Sequence, residues 1–225
     1  MSAVGLISTV DTMTVLLADP QITRIPAHDN GEALVDLASV GLAFDGVRAV
    51  GRHVRASLAI RLQRAQECLP AGRSLLIREG YRRPDEQERL FARYSLSLLR
   101  DNPNLDELTL HRLTSRFVSP IAVAPHVAGA AVDLTLADET GTALWMGTPI
   151  DATPEESANA CEFAATNISA EARANRDLLA SVLEQQGLIN YPTEWWHWSY
   201  GDRYWAHATG AGSAIYGPRD LAAAA

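Results

Sequence analysis

Apolar side chains recur every four residues at Val50, Val54, Leu58 and Leu62, with Arg52, Arg55, Arg61 and Arg64 between them. That period predicts an amphipathic helix over residues 47–69, closed by Pro70, Ala71 and Gly72. SLLIREGY, residues 74–81, is an apolar run without helical period and reads as a buried strand. Pro84 opens a second helical segment whose acidic first turn suits the helix dipole. DNPN at 101–104 turns the chain, and a short helix is expected over 105–116. AVDLTL, residues 131–136, is a strand by composition. ADETGT then turns the chain, and LWMG is expected to pair back as a hairpin. Residues 169–187 predict a helix with Ser169 as N-cap, an apolar stripe of Leu178, Leu179, Val182 and Leu183, and Gly187 as its stop. EWWHWSY, residues 194–200, is aromatic and strand-like. The first 45 residues, punctuated by Pro20, Pro26 and Gly31, read as strands and loops. The sum is a single α+β domain over 1–225, with helices mostly in the first half and near residue 175 and a mostly antiparallel sheet in the second half.

Composition narrows the function classes. The 225 residues are 47% hydrophobic and 20% charged, so a packed core is expected. All the positive charge is arginine, the net charge is -8, and no basic block exceeds two residues. Neutralising nucleic-acid phosphates with such a surface is disfavoured. Cys68 and Cys161 form no C-x-x-C and read as two buried, reduced thiols. No Lys or Arg precedes Arg24, which makes a poor secretory signal, and no apolar run approaches the roughly 18 residues needed to span a bilayer. The expectation is a soluble cytoplasmic protein with neither a nucleic-acid nor a membrane partner.

Two fragments carry chemistry. In PHVAGAAVDLTL, residues 125–136, His126 and Asp133 are seven apart. On one straight strand an odd offset puts them on opposite faces, so Gly129 is expected to turn the chain and let two adjacent segments converge. In TEWWHWSY, residues 193–200, the offset of three between Glu194 and His197 is also odd. Glu194 can join an inward-pointing His197 only from the loop entering the strand, or across a bulge. Strand parity puts Trp196 and Trp198 together opposite His197, as core, and Trp195 on the His197 side, as a wall of the site. Two histidines and a carboxylate form a standard ligand set for catalytic zinc. His126, Asp133 and His197 would supply it, with Glu194 as the adjacent base and Arg82 as the cation for a developing oxyanion. Each fragment alone is more often a hydrogen-bonded core histidine, and Asp151 alone is more often a turn residue or helix cap. His28, His53, His111 and His207 have no motif context.

The order of these fragments resembles the D-alanyl-D-alanine dipeptidases of the vancomycin-resistance type, within the zinc DD-peptidases that share a fold with the hedgehog signalling domain. The matching segments are Gly80-Tyr81-Arg82; His126, Gly129, Ala131 and Asp133 followed by Leu134-Thr135-Leu136; Met146-Gly147-Thr148-Pro149-Ile150-Asp151; Asn175-Arg176 with Leu179; and Glu194-Trp195-Trp196-His197. They run over residues 75–200, and the first 45 residues match no family motif. Ala124 stands where the family has a serine thought to contact substrate, and Arg83 where it usually has proline. The resemblance implies one zinc ion per chain, held by His126, Asp133 and His197. It implies Glu194 as base and then acid, Arg82 on the oxyanion, and Asp151 on the free amino group of a small dipeptide substrate such as D-Ala-D-Ala. Neighbouring readings are a DD-carboxypeptidase or endopeptidase on peptidoglycan stems, and a catalytically inert zinc-binding module.

Overall fold

The computed structural model describes residues 14–220. Most of the N-terminal stretch read against a signal, and the LAAAA tail, lie outside them. In chain order the elements are α1 (Pro20–Thr23), β1 (Leu34–Asp36), β2 (Ala43–Phe44), β3 (His53–Arg55), α2 (Ala56–Glu67), β4 (Ser74–Glu79), α3 (Pro84–Asp101), α4 (Glu107–Thr114), β5 (Ala131–Ala137), α5 (Pro154–Ser157), α6 (Ala170–Glu184), β6 (Ile189–Asn190), β7 (His197–Ser199) and α7 (Arg203–Thr209). Five strands form one sheet in the order β2-β4-β5-β7-β6, and β1 pairs with β3 in a separate ribbon. The architecture is α+β, as expected. The main sheet is mixed, because β2 joins β4 in parallel while the other pairs are antiparallel.

The sheet separates a hydrophobic core from the site. All seven residues of β5 are buried, which is why the strand reads as a continuous run rather than an alternation. Val132, Leu134 and Leu136 pack into the core with Leu58 and Leu62 of α2 and Leu179 and Leu183 of α6. Asp133 and Thr135 therefore face the other way. Fully burying a leucine stabilises by roughly 1.5–3 kcal/mol, while an exposed pair such as Arg173–Asp177 contributes only about 0.3–0.5 kcal/mol. The apolar stripe of α6, not its surface charge, fixes that helix on the sheet. Ser169 caps it as expected, accepting from the Ala172 N–H.

Four expectations are corrected. The predicted helix over 47–69 is split into a 3₁₀ turn at Ala49–Arg52, strand β3 and helix α2. Val54 falls in the four-residue rhythm, yet it is buried opposite Val35 of β1, so strand pairing takes this stretch from the helix. The LWMG hairpin shrinks to one bridge, Ala137 with Ala143, and a Leu144 N–H bond to Leu136 O. Beyond it the Met146 carbonyl accepts from the Arg176 side chain rather than from a strand. Cys161 is buried, but Cys68 ends α2 exposed. The first segment includes the short helix α1, and Leu16, Leu17 and Ile22 pack there against Tyr191 and Tyr204. Among the described residues no helix is long and apolar enough to cross a membrane.

Arg55 joins distant parts of the chain from a fully buried position. Its N–H donates to Gly129 O and its Nε to Ala128 O. Its guanidinium pairs with Asp29 and donates to the carbonyls of Glu32 and Gly217.

Candidate active site

The two strand-borne residues of the site are cross-strand neighbours. Asp133 of β5 pairs directly with His197 of β7, so both side chains leave the sheet on one face. His126 comes from the tight turn before β5, where the Gly129 N–H bonds to His126 O and Gly129 takes a φ of 64°. A side chain there would also meet Leu34. The expected glycine turn is thus present. The end of β4 holds His126 in place: its Nδ1 lies 2.6 Å from Gly80 O, and the Arg82 N–H bonds to His126 O at 3.2 Å. Position 80 must be glycine, since a Cβ would stand 2.6 Å from His53 O and 2.7 Å from Val54 Cγ1.

The carbonyl of Gly80 can only accept, so Nδ1 of His126 carries the proton and Nε2 presents a lone pair. That Nε2 lies 3.1 Å from His197 Nδ1 and 3.3 Å from Asp133 Oδ2, and His197 Nδ1 lies 3.0 Å from Asp133 Oδ1. All three residues are buried, and their donor atoms lie within 4.8 Å of one another. Burial alone would push the Asp133 carboxyl up; His126 and His197 outweigh it and hold it well below the usual carboxylate range. Two imidazoles and a carboxylate aimed at one point, one imidazole oriented by a backbone carbonyl, fit a divalent metal ion.

Around this centre lies a cleft of about 510 Å³. Glu194 enters it from the turn before β7, with Oε2 3.9 Å from His197 Nδ1. Burial, then the charges of Asp133 and Asp151, push its carboxyl well up, and a hydrogen bond from the Trp196 side chain opposes the rise. Arg82 lines the cleft, donating from Nε and a terminal nitrogen to Glu79 at 3.0 and 2.6 Å and from the other to Gln87 at 2.9 Å. Arg83 instead stands outside at the start of α3, 3.4 Å from Asp85. Asp151 sits on the rim with a φ of 65°. Desolvation, then Asp133 and Glu79, push its carboxyl up to about 6. The cap of α5 is Thr153, which forms a capping box with Glu156, so Asp151 is left free of that duty. Ala124 is buried and lines a separate, minor pocket.

One placement reverses the parity argument. Trp195, expected to wall the site, turns into the core and does not line the cleft; Trp196 is in the core as expected and also lines the cleft. The Trp195 indole donates to Thr148 Oγ1 at 2.9 Å, and Arg176 lies over its ring at 5.5 Å. Parity fails because the strand begins only at His197; residues 195 and 196 lie in a turn. Trp198 is core, as expected. Sequence reasoning also passed over Glu79, Gln87 and Tyr191. Glu79 pairs with Asp133 across a register shift between Ile77 and Glu79, which breaks the alternation that would have flagged it. The ring of Tyr191 meets His197 edge-on at 6.0 Å. The motif residue Arg176 is fully buried and donates to the carbonyls of Met146, Ala160 and Glu162. It thereby ties the segment leading to Asp151 to the loop whose Cys161 carbonyl accepts from the Trp195 N–H.

Sequence comparison agrees with this geometry. A D-alanyl-D-alanine dipeptidase of Synechocystis sp. is 35% identical over 95 residues, 39% of this chain and 38% of that protein. This match thus spans under half of the relative's length. The D-alanyl-D-alanine dipeptidase of Enterococcus faecium is 31% identical over 163 residues, 69% of this chain and 75% of that protein. That of Enterococcus faecalis is 30% identical over 165 residues, with 68% and 77% covered. The model of the peptidase M15 family, described as D-Ala-D-Ala dipeptidase, matches residues 42–210, a span that contains every residue of the centre, and the chain belongs to that family.

Proposed function

We propose that this chain is a zinc-dependent dipeptidase that hydrolyses D-Ala-D-Ala or a similarly small D-dipeptide. The observation that carries the proposal is the buried convergence of His126, Asp133 and His197 beside Glu194 and Arg82. Held by those three residues, zinc supplies Lewis acidity that lowers the pKa of a water and polarises a peptide carbonyl. Glu194 takes the proton from the attacking water and returns it to the leaving amine; its burial raises its proton affinity, which favours the first of these transfers. Arg82 is oriented before the reaction by Glu79 and Gln87 and meets the oxyanion with its remaining N–H donors. Asp151, at the rim, receives the free amino group, so that one residue fits between it and the scissile carbonyl. An inert zinc module would need neither Glu194 nor Arg82 in this arrangement.

The test is a panel of D- and L-dipeptides with metal analysis. Zinc-loaded protein is expected to release D-alanine from D-Ala-D-Ala with one zinc per chain, and silence toward every D-dipeptide would sink the reading. N-acetyl-D-Ala-D-Ala is expected to be cleaved at least about tenfold more slowly, the loss of one charged hydrogen bond. Equal rates on blocked and free substrate would remove Asp151 from its role and favour a carboxypeptidase acting on peptidoglycan stems.

A further inference from the structure

Glu194 and His197 lie close in the chain, but on backbone that is still turning, so their separation is not fixed by strand geometry. The turn that carries Glu194 runs from β6 to β7, which pair antiparallel with Asn190 opposite Trp198. Asn190 is half-buried on this edge strand and reaches back across the mouth of the turn. Its Nδ2 donates to Glu194 O at 2.9 Å and to His197 O at 3.0 Å. Both acceptors are carbonyls, so the amide turns its NH₂ toward them, and its two hydrogens serve one carbonyl each. The same turn is tied to the segment after α4, where the Thr193 hydroxyl donates to Arg116 O at 2.7 Å and the Tyr191 hydroxyl to Ser115 O at 2.8 Å.

The two carbonyls do not depend on Asn190 equally. His197 O also accepts from the Tyr191 N–H at 3.0 Å, and His197 is paired with Asp133 in the sheet. Glu194 O otherwise accepts from the His197 N–H, at a longer 3.3 Å. Without the amide the metal ligand keeps its place, and the base loses its shorter tie. The Glu194 carboxyl stands 3.9 Å from His197 Nδ1. A shift of about 1 Å at a reacting group can cost about a hundredfold in rate.

We propose that Asn190 is a positioning residue for the reaction: by binding both carbonyls it sets the distance from the general base to the metal ligand. The inference rests on the peptidase reading above, but part of its test does not. Asn190→Leu keeps the branched shape and removes both donors. In metal-free protein, amide hydrogen exchange followed by NMR is expected to quicken about five- to hundredfold at Glu194 and His197 and to change less than about twofold in β4. With zinc, kcat on D-Ala-D-Ala should fall about ten- to hundredfold, while KM stays within about threefold and one zinc per chain is retained. Asn190→Asp, which has the same shape but loses the NH₂, should fall at least as far. In a Glu194→Ala background, Asn190→Leu should lower the residual rate less than about twofold, because the group it positions is gone. An equal loss in both backgrounds, loss of zinc in step with kcat, or unchanged exchange at Glu194 overturns the assignment. If no dipeptide is hydrolysed but the Glu194 and His197 amides loosen as expected, the peptidase reading fails and the tie stands.

Discussion

Glu194→Ala protein is expected to bind one zinc per chain as the parent does and to turn over D-Ala-D-Ala about 10²- to 10⁴-fold more slowly, the usual contribution of a general acid–base group. The carboxyl of Glu194 stands beside the donor set, 3.9 Å from the His197 nitrogen, and is outside the converging trio. Removing it subtracts proton transfer and leaves the ligands. Stability should hold or rise, because a buried carboxyl whose proton affinity burial has raised is costly to keep ionised. The measurements are kcat, metal content and the thermal midpoint of the same preparation. Loss of metal in step with activity would make Glu194 a ligand, and undiminished turnover would exclude it as the base.

Asp133→Ala should fail in the opposite sense, with activity lost because the metal is lost. Removing even an outer partner of a ligand commonly costs about 10–100-fold in metal affinity, so deleting a ligand should exceed 100-fold. Thermal denaturation gives a readout independent of catalysis. An ion present at about 1,000 times its dissociation constant stabilises the folded chain by about 4 kcal/mol, and for a chain of this size that raises the midpoint by roughly 10 °C. Added zinc should shift the parent and Glu194→Ala proteins alike and should leave Asp133→Ala unmoved. A full shift in the Asp133 variant would mean the ion sits elsewhere.

Local pattern made much of the frame legible. Strands β4 and β5 and helix α6 fall where apolar runs, cap and stop residues put them. The odd offsets of His126 to Asp133 and Glu194 to His197 correctly called for a turn and a strand entry. What local pattern could not supply was register. That Asp133 faces His197 depends on hydrogen bonds between strands 64 residues apart. That Glu79 joins them depends on an irregularity in the β4–β5 ladder. The same limit misled the reading of the tryptophans. Parity is a property of extended backbone, and the chain at Trp195 and Trp196 is still turning. In the 47–69 stretch a helical period was real but incomplete, because pairing with β1 claimed Val54 and burial of Arg55 claimed the next residue. The commitment of Arg176 to four separate carbonyls, those of Met146, Ala160, Glu162 and Phe163, was likewise invisible, since its partners are backbone atoms that any residue could provide.

The Arg55 clamp bears on where the working unit begins and ends. The family match opens at residue 42 and closes at 210, and Arg55 itself lies inside it. Yet the groups that neutralise and saturate its guanidinium, Asp29, the Glu32 carbonyl and the Gly217 carbonyl, all lie beyond those borders. A fragment cut at the borders would leave a buried positive charge without its counter-ion directly beneath the Ala128–Gly129 turn that presents His126. The flanks that share least with the family's motifs are thus part of what keeps its most characteristic histidine on aim.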